Sequence, residues 1–264
     1  MEGKRIVYRP VLFIVIAFAV TWAIAFFQAY QTWLRWDVAA HRVLIGALDF
    51  VRSGSPLIAA LILLRKPLFR ERGILRFVFG HRPRLLPCAL VAAQFAFLFF
   101  TFFLFGLRHA PLSLSMFLAA VAVQTLFGGG MEEGGWRAYL QPALEGKARV
   151  VGSVLIVALA WSLWHLPYFF LPGSFLAGMN FFMYLIIAAA MSFMLTAIYK
   201  LTGSVLLCTL FHGLQNALVM TMQPDFGHPG FLAMFVAQTA LAVFLCIKAP
   251  GIKAQASRPE RANA

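Results

Sequence analysis

The sequence predicts an all-α fold: a polytopic membrane helical bundle of about eight transmembrane helices. Three observations carry that expectation. Hydrophobic residues fill 62% of the 264 positions and charged residues only 12%, about half the charge of a soluble domain. Mean hydropathy is +0.83. The apolar residues also fall into runs of about 20, the length a helix needs to cross a hydrocarbon core about 30 Å thick.

The spans follow in order. The first, about 11–30, comes after "MEGKRIVYRP". It is longer than a signal-peptide apolar region and has no clear small-residue cleavage site after it, so an uncleaved first helix is expected. Spans at about 44–64 and 85–106 flank a loop carrying Arg65, Lys66, Arg70, Arg72, Arg76, Arg82 and Arg84 against the single acid Glu71. Further spans are expected at about 112–131, 149–170, 180–199, 203–222 and 230–248. Residues 1–250 form one membrane-embedded domain on this reading, and 251–264 a polar cytoplasmic tail.

Charge orients the bundle. The arginine-rich loop belongs in the cytoplasm by the positive-inside rule. Lys4, Arg5 and Arg9 at the amino terminus, Lys147, Arg149 and Lys200, and the tail residues Lys248, Lys253, Arg258 and Arg261 agree with it over an even number of crossings. The loops "LPGSFLAGMN" and "QPDFGHPG" hold little positive charge. Both termini are expected in the cytoplasm, with the protein in a bacterial plasma membrane. The excess of 22 Lys and Arg over 9 Asp and Glu therefore reads as topology and headgroup anchoring rather than nucleic-acid binding. Cys88, Cys208 and Cys246 fall in or beside spans with no CxxC spacing, and are expected to pack as small apolar groups.

Polar residues inside such spans are costly and point to function. Glu132 and Glu133, in "GGGMEEGGWRAYL", are the only adjacent pair among the nine acids. Glu133 and Arg137 stand at i,i+4 and can pair; Glu132 is rotated by about 100° and stays free. A solvated helix end is the plain alternative. In "WSLWHLPYFF", His165 lies deep in the fifth span, with Trp161 one turn before it and Pro167 breaking the helix after it. A lone histidine of this kind is often a satisfied core residue. In "LFHGLQNAL", His212 and Asn216 share one helix face, which also suits interhelical packing.

Together these residues suit water-driven attack on an amide. A carboxylate held out of water is a stronger base, able to take a proton near neutral pH. An imidazole can orient the water, and His212 with Asn216 can donate to the developing oxyanion. The same atoms allow a metal site with His165, His212 and Glu132 as ligands, although no HExxH helix is present.

The ordered patterns EExxxR (Glu132, Glu133, Arg137), WxxxH (Trp161, His165) and HxxxN (His212, Asn216) resemble the three motifs of the CPBP intramembrane glutamate proteases. That family comprises the type II CAAX prenyl endopeptidases and their bacteriocin-processing relatives. "SGSPLIAALI" at 53–62 is a weaker likeness. The resemblance implies that Glu132 activates water with His165, that His212 and Asn216 form the oxyanion hole, and that Glu133 with Arg137 holds the site's shape. Trp161 stands where many members carry Phe, which keeps an aromatic there. The resemblance also implies a cavity open to the cytoplasm and to lipid, a peptide or lipidated protein as substrate, and no metal or cofactor. A non-catalytic binding or immunity protein, a zinc-dependent variant and a proton-coupled transporter are the competing readings; the last lacks a broken-helix pair in matching halves. For Glu132 to meet His165, about 22 Å along the fifth span, the fourth helix must continue to about Leu144, with Gly128–Gly130 and Gly134–Gly135 allowing close approach or distortion.

Overall fold

A computed structural model describes residues 9–34, 41–68, 77–79, 85–106, 113–145 and 149–249. Lys4, Arg5, Arg70, Glu71, Arg72, Arg76, Arg82, Arg84 and Lys147, along with the tail expected at 251–264, lie outside the described residues. Helices α1 (Pro10–Trp33), α2 (Arg42–Leu68), α3 (Leu85–Phe105) and α4 (Leu114–Leu126) come first. An irregular stretch to Glu145 follows, then α5 (Val150–Trp164), α6 (Phe181–Thr202), α7 (Val205–Met222) and α8 (Pro229–Lys248). No strand is present among the described residues, apart from an isolated bridge between Gly106 and Pro224. The chain is an all-α bundle, and its described residues include seven helical stretches long and apolar enough to cross a membrane, Leu114–Glu145 counting as one of 32 residues.

Side-chain caps set several helix starts. Ser113, Asn180 and Ser204 accept from backbone amides in the first turns of α4, α6 and α7, satisfying donors that the helix leaves unpaired. Pro10 and Pro229 open α1 and α8, where a missing amide hydrogen costs nothing. The ends of α5 are less regular. Its 15 residues span about 22 Å, short of a full crossing and short of the 149–170 expected. Pro167 is the physical cause: it cannot donate to the preceding turn, so the helix stops at Trp164, His165 caps it, and a 3₁₀ turn runs from Leu166 to Phe169.

Helix α6 is the centre of the bundle, buried almost continuously from Ala188 to Thr202. Helices α5 and α8 pack on it, α7 packs on α4, and α1 packs on α2. The outer faces carry Phe100, Phe103, Leu118, Val236 and Phe244 exposed, as expected where lipid tails are the outer solvent. Cys208 and Cys246 are buried, each with its Sγ directed at a carbonyl of α6, and all three cysteines are free.

The stretch after α4 does reach Glu145, but not as a regular helix. It runs as a 3₁₀ turn (Gly129–Glu132), one α turn (Glu133–Gly135), a π-helical turn (Trp136–Leu140) and a last α turn (Gln141–Glu145). Five glycines weaken helix propensity here, and Gly135 also has a packing reason. A Cβ on Gly135 would fall on the backbone carbonyl of Pro56 in α2, so the two chains touch with no side chain between them. Gly135→Ala is therefore expected to lower stability by about 1–3 kcal/mol through overpacking, read from thermal unfolding in detergent. Gly46→Ala, at a position with nothing within 4 Å, should leave the midpoint unchanged or higher; equal behaviour of the two variants would contradict the close contact.

Candidate active site

The irregular stretch turns two consecutive glutamates inward, which a regular helix would hold about 100° apart. Glu132 is 3% exposed, and Glu133 and Arg137 are 0%. Water cannot solvate these charges, so protein groups must. Arg137 donates from Nε to Glu133 Oε2 at 2.8 Å. Its other nitrogens reach the carbonyl of Ser192 at 3.5 Å, Thr196 Oγ1 at 3.4 Å and Ser192 Oγ at 3.2 Å, all on α6. Its guanidinium also lies 5.8 Å from the centroid of the Trp161 ring. The i,i+4 pairing expected of Glu133 and Arg137 is present, with an unforeseen second anchor on α6.

Glu133 has a further partner. Its Oε1 lies 2.7 Å from His212 Nδ1 on α7. An ionised carboxylate only accepts, so Nδ1 carries the proton and Nε2 is directed elsewhere. One carboxylate thus ties the irregular stretch, α6 (through Arg137) and α7 together.

Glu132 is held differently. The indole nitrogen of Trp161 donates to its Oε2 at 2.6 Å, and Oε1 has no partner among the described residues. Reading Trp161 only as an aromatic equivalent of Phe misses this: phenylalanine has no hydrogen to donate. The Trp161 ring also stands edge-on to both imidazoles, 5.2 Å from His212 and 6.0 Å from His165. His165 is enclosed further by Trp164 and Tyr184, at 4.5 and 5.4 Å between ring centroids. Its Nδ1 faces the carbonyl of Trp161 at 3.0 Å. A carbonyl only accepts, so here too Nδ1 holds the proton and Nε2 is left for chemistry.

Asn216 and His212 meet at Gly129. A Cβ built there would lie 2.5 Å from His212 Nε2 and 2.7 Å from Asn216 Nδ2. Both nitrogens therefore lie against the Gly129 backbone, a close approach that any side chain at 129 would block. Asn216 Nδ2 is steadied by Gln124 Oε1 at 3.4 Å. Glu132, Trp161, His165, His212 and Asn216 all line one cavity of about 850 Å³, while Glu133 and Arg137 stand behind it. Ser192, Thr196, Tyr184 and Gln124 were not foreseen; serine, threonine and single glutamines are too common in spans to signal a site. Among the described residues, no three His, Cys, Asp or Glu side chains gather to hold a metal ion.

Residues 114–218 match the family described as Type II CAAX prenyl endopeptidase Rce1-like, the group that the three ordered motifs resemble. All seven candidate residues lie within the matched stretch. No curated protein matches the chain.

Breaking the buried pair has a calculable consequence. Arg137→Met leaves Glu133 with one partner fewer in a dry interior and is expected to cost about 3–5 kcal/mol. Adding Glu133→Gln should recover part of that loss, because the uncompensated charge goes with it. Equilibrium unfolding of the two variants in detergent reads both values; a single substitution costing under about 1 kcal/mol would contradict the pairing.

Proposed function

We propose, from the Rce1-like character of residues 114–218, that the chain is an intramembrane endopeptidase of the glutamate-dependent kind. Its substrate is a peptide bond in a membrane-associated or lipidated protein or peptide. The observation that carries this reading is that His212 Nε2 and Asn216 Nδ2 both lie against the Gly129 backbone, in residues that line the same cavity as Glu132. Two side-chain nitrogens standing side by side in the wall of the cavity can serve as the pair of donors that a developing oxyanion needs.

The chemistry follows from the hydrogen bonds. Glu132 Oε1 takes a proton from water as the water oxygen attacks the scissile carbonyl carbon. Trp161 fixes the other carboxylate oxygen, and His165 Nε2 accepts from the same water and aligns it. The carbonyl oxygen, now negative, accepts from Asn216 Nδ2 and His212 Nε2. Nε2 can donate only in the imidazolium form, because Nδ1 already gives its hydrogen to Glu133, and that carboxylate faces the imidazolium charge. Collapse of the intermediate breaks the C–N bond, and protonated Glu132 returns its proton to the leaving amine.

The direction of access follows from chain alternation. The cavity is lined by the carboxyl-terminal ends of α1, α5 and α7, the amino-terminal halves of α2 and α6, and the stretch 171–176. Arg9, Arg149, Lys200 and Lys248 mark the opposite helix ends. With those basic ends in the cytoplasm, the cavity opens to lipid and to the other face. This departs from the cytoplasmic opening implied by the family resemblance, and the charge asymmetry is the reason for preferring it.

Glu132→Gln is expected to abolish cleavage of a co-expressed substrate while the protein remains folded. Asn216→Ala should lower kcat about 10²–10³-fold with a smaller change in KM. Chelator treatment should leave activity intact. Full cleavage by the Glu132→Gln protein would overturn the assignment. Access is tested separately with a membrane-impermeant maleimide on intact cells carrying Cys88→Ser. Ala177→Cys should react, whereas Arg149→Cys should react only after lysis; the reverse pattern would place the opening in the cytoplasm.

A further inference from the structure

The cavity has further polar residues in its lining besides Glu132 and the imidazoles: Arg52 on α2, Gln31 on α1 and Tyr168 in the 3₁₀ turn after α5, the first two lying outside the Rce1-like stretch. Arg52 sits mid-way along an apolar span, where a guanidinium is expensive and needs a reason. Its Nε donates to Asp49 Oδ1 at 3.3 Å, and Asp49 also accepts from Gln28 Nε2 at 3.0 Å. Its guanidinium carbon lies 4.6 Å from the centroid of the Tyr168 ring. Asp49 and the ring thus hold the guanidinium plane, while Nη1 and Nη2 make no hydrogen bond among the described residues.

Two more donors there are idle. Gln31 is 5% exposed and Tyr168 6%, yet Gln31 Nε2 and the Tyr168 hydroxyl are buried without a partner. Buried polar atoms in that condition cost free energy unless a ligand or water completes them. The same lining thus offers a planar cationic fork together with an unpartnered amide N–H and an unpartnered phenolic O–H. Such a set matches a carboxylate, which accepts two parallel hydrogen bonds from a guanidinium and still has lone pairs for others. Asp49 is the nearest opposing charge, but it occupies only the Nε edge; Glu132, the other acid lining the cavity, is held by Trp161.

We propose that Arg52, with Gln31 and Tyr168, is a receptor for a carboxylate of the peptide substrate, and so a specificity determinant of the cavity. This rests on the endopeptidase reading for the word substrate, but the binding itself can be measured without turnover. The test uses the full-length Glu132→Gln protein in neutral detergent, with three labelled versions of one apolar peptide: free carboxyl terminus, carboxyl-terminal amide, and the amide with one internal Asp. The expected result is that at least one acidic version binds about tenfold or more tightly than the neutral amide, and which one it is tells an α-carboxylate from a side-chain carboxylate. Arg52→Gln should erase that preference. Tyr168→Phe, which keeps the ring and loses the hydroxyl, should reduce it, and serves if Arg52→Gln does not fold.

Equal binding of all three peptides would overturn the proposal, as would a preference that survives Arg52→Gln. Equal binding accompanied by Arg52-dependent retention of phosphatidylglycerol would assign these side chains to a lipid headgroup and overturn the proposal likewise. Failure of the endopeptidase reading shows in a different measurement, cleavage by the wild-type protein.

Discussion

A single buried carboxylate holds the site in shape. Glu133 gives one oxygen to Arg137 at 2.8 Å and the other to His212 at 2.7 Å. Arg137 carries the link on to Ser192 and Thr196 of α6, and His212 carries it into α7. Each charge in this chain is tolerable in an apolar bundle only because the next one compensates it. The irregular stretch after α4, which has little intrinsic reason to stay folded given its glycines, is pinned at its middle by that contact. Gly129 and Glu132 take their places as a result: the first admits two side-chain nitrogens against its backbone, and the second faces the cavity.

The division of labour between the adjacent acids comes from partners rather than from residue type. Glu133 has both oxygens occupied by cationic or potentially cationic groups. Glu132 has one oxygen on an indole N–H and one free. The first has both oxygens committed, and the second keeps one open, as the proposed role of a base requires. The two histidines are sorted by the same logic, since each spends Nδ1–H on a structural acceptor and presents Nε2 to the cavity. The short α5 serves this arrangement: ending at Trp164 ahead of Pro167, it leaves His165 at a helix terminus inside the bundle rather than at the surface.

Much of this was legible in the amino acids. Helix positions such as 85–106, found as Leu85–Phe105, follow from length and hydropathy, because a span must be long and apolar to exist at all. Six of the seven candidate residues stood out as costly groups in apolar surroundings, and Trp161 as the aromatic of the WxxxH pattern. What stayed hidden depends on direction rather than composition. The Trp161 indole counts as apolar in any hydropathy sum, yet its one polar atom holds Glu132. Ser192 and Thr196 look like ordinary small residues of a packed helix. The 3₁₀ and π turns follow from glycines whose effect could be foreseen as distortion but not in form. Arg52, a charge in the second span, was passed over in the sequence, because the role proposed for it needs Tyr168 and Gln31, which are distant in sequence and share a cavity with it only in the fold.

The tautomer of His212 is the most direct probe of the contact on which the site rests. Nitrogen-15 NMR of histidine-labelled protein in bilayers, with the resonance assigned by loss in His212→Asn, reports which ring nitrogen carries hydrogen. A protonated Nδ1 that is perturbed by Glu133→Gln is the expected result. A bare Nδ1 with hydrogen only on Nε2 would mean that Glu133 does not accept from His212, and the shared-carboxylate arrangement would be wrong.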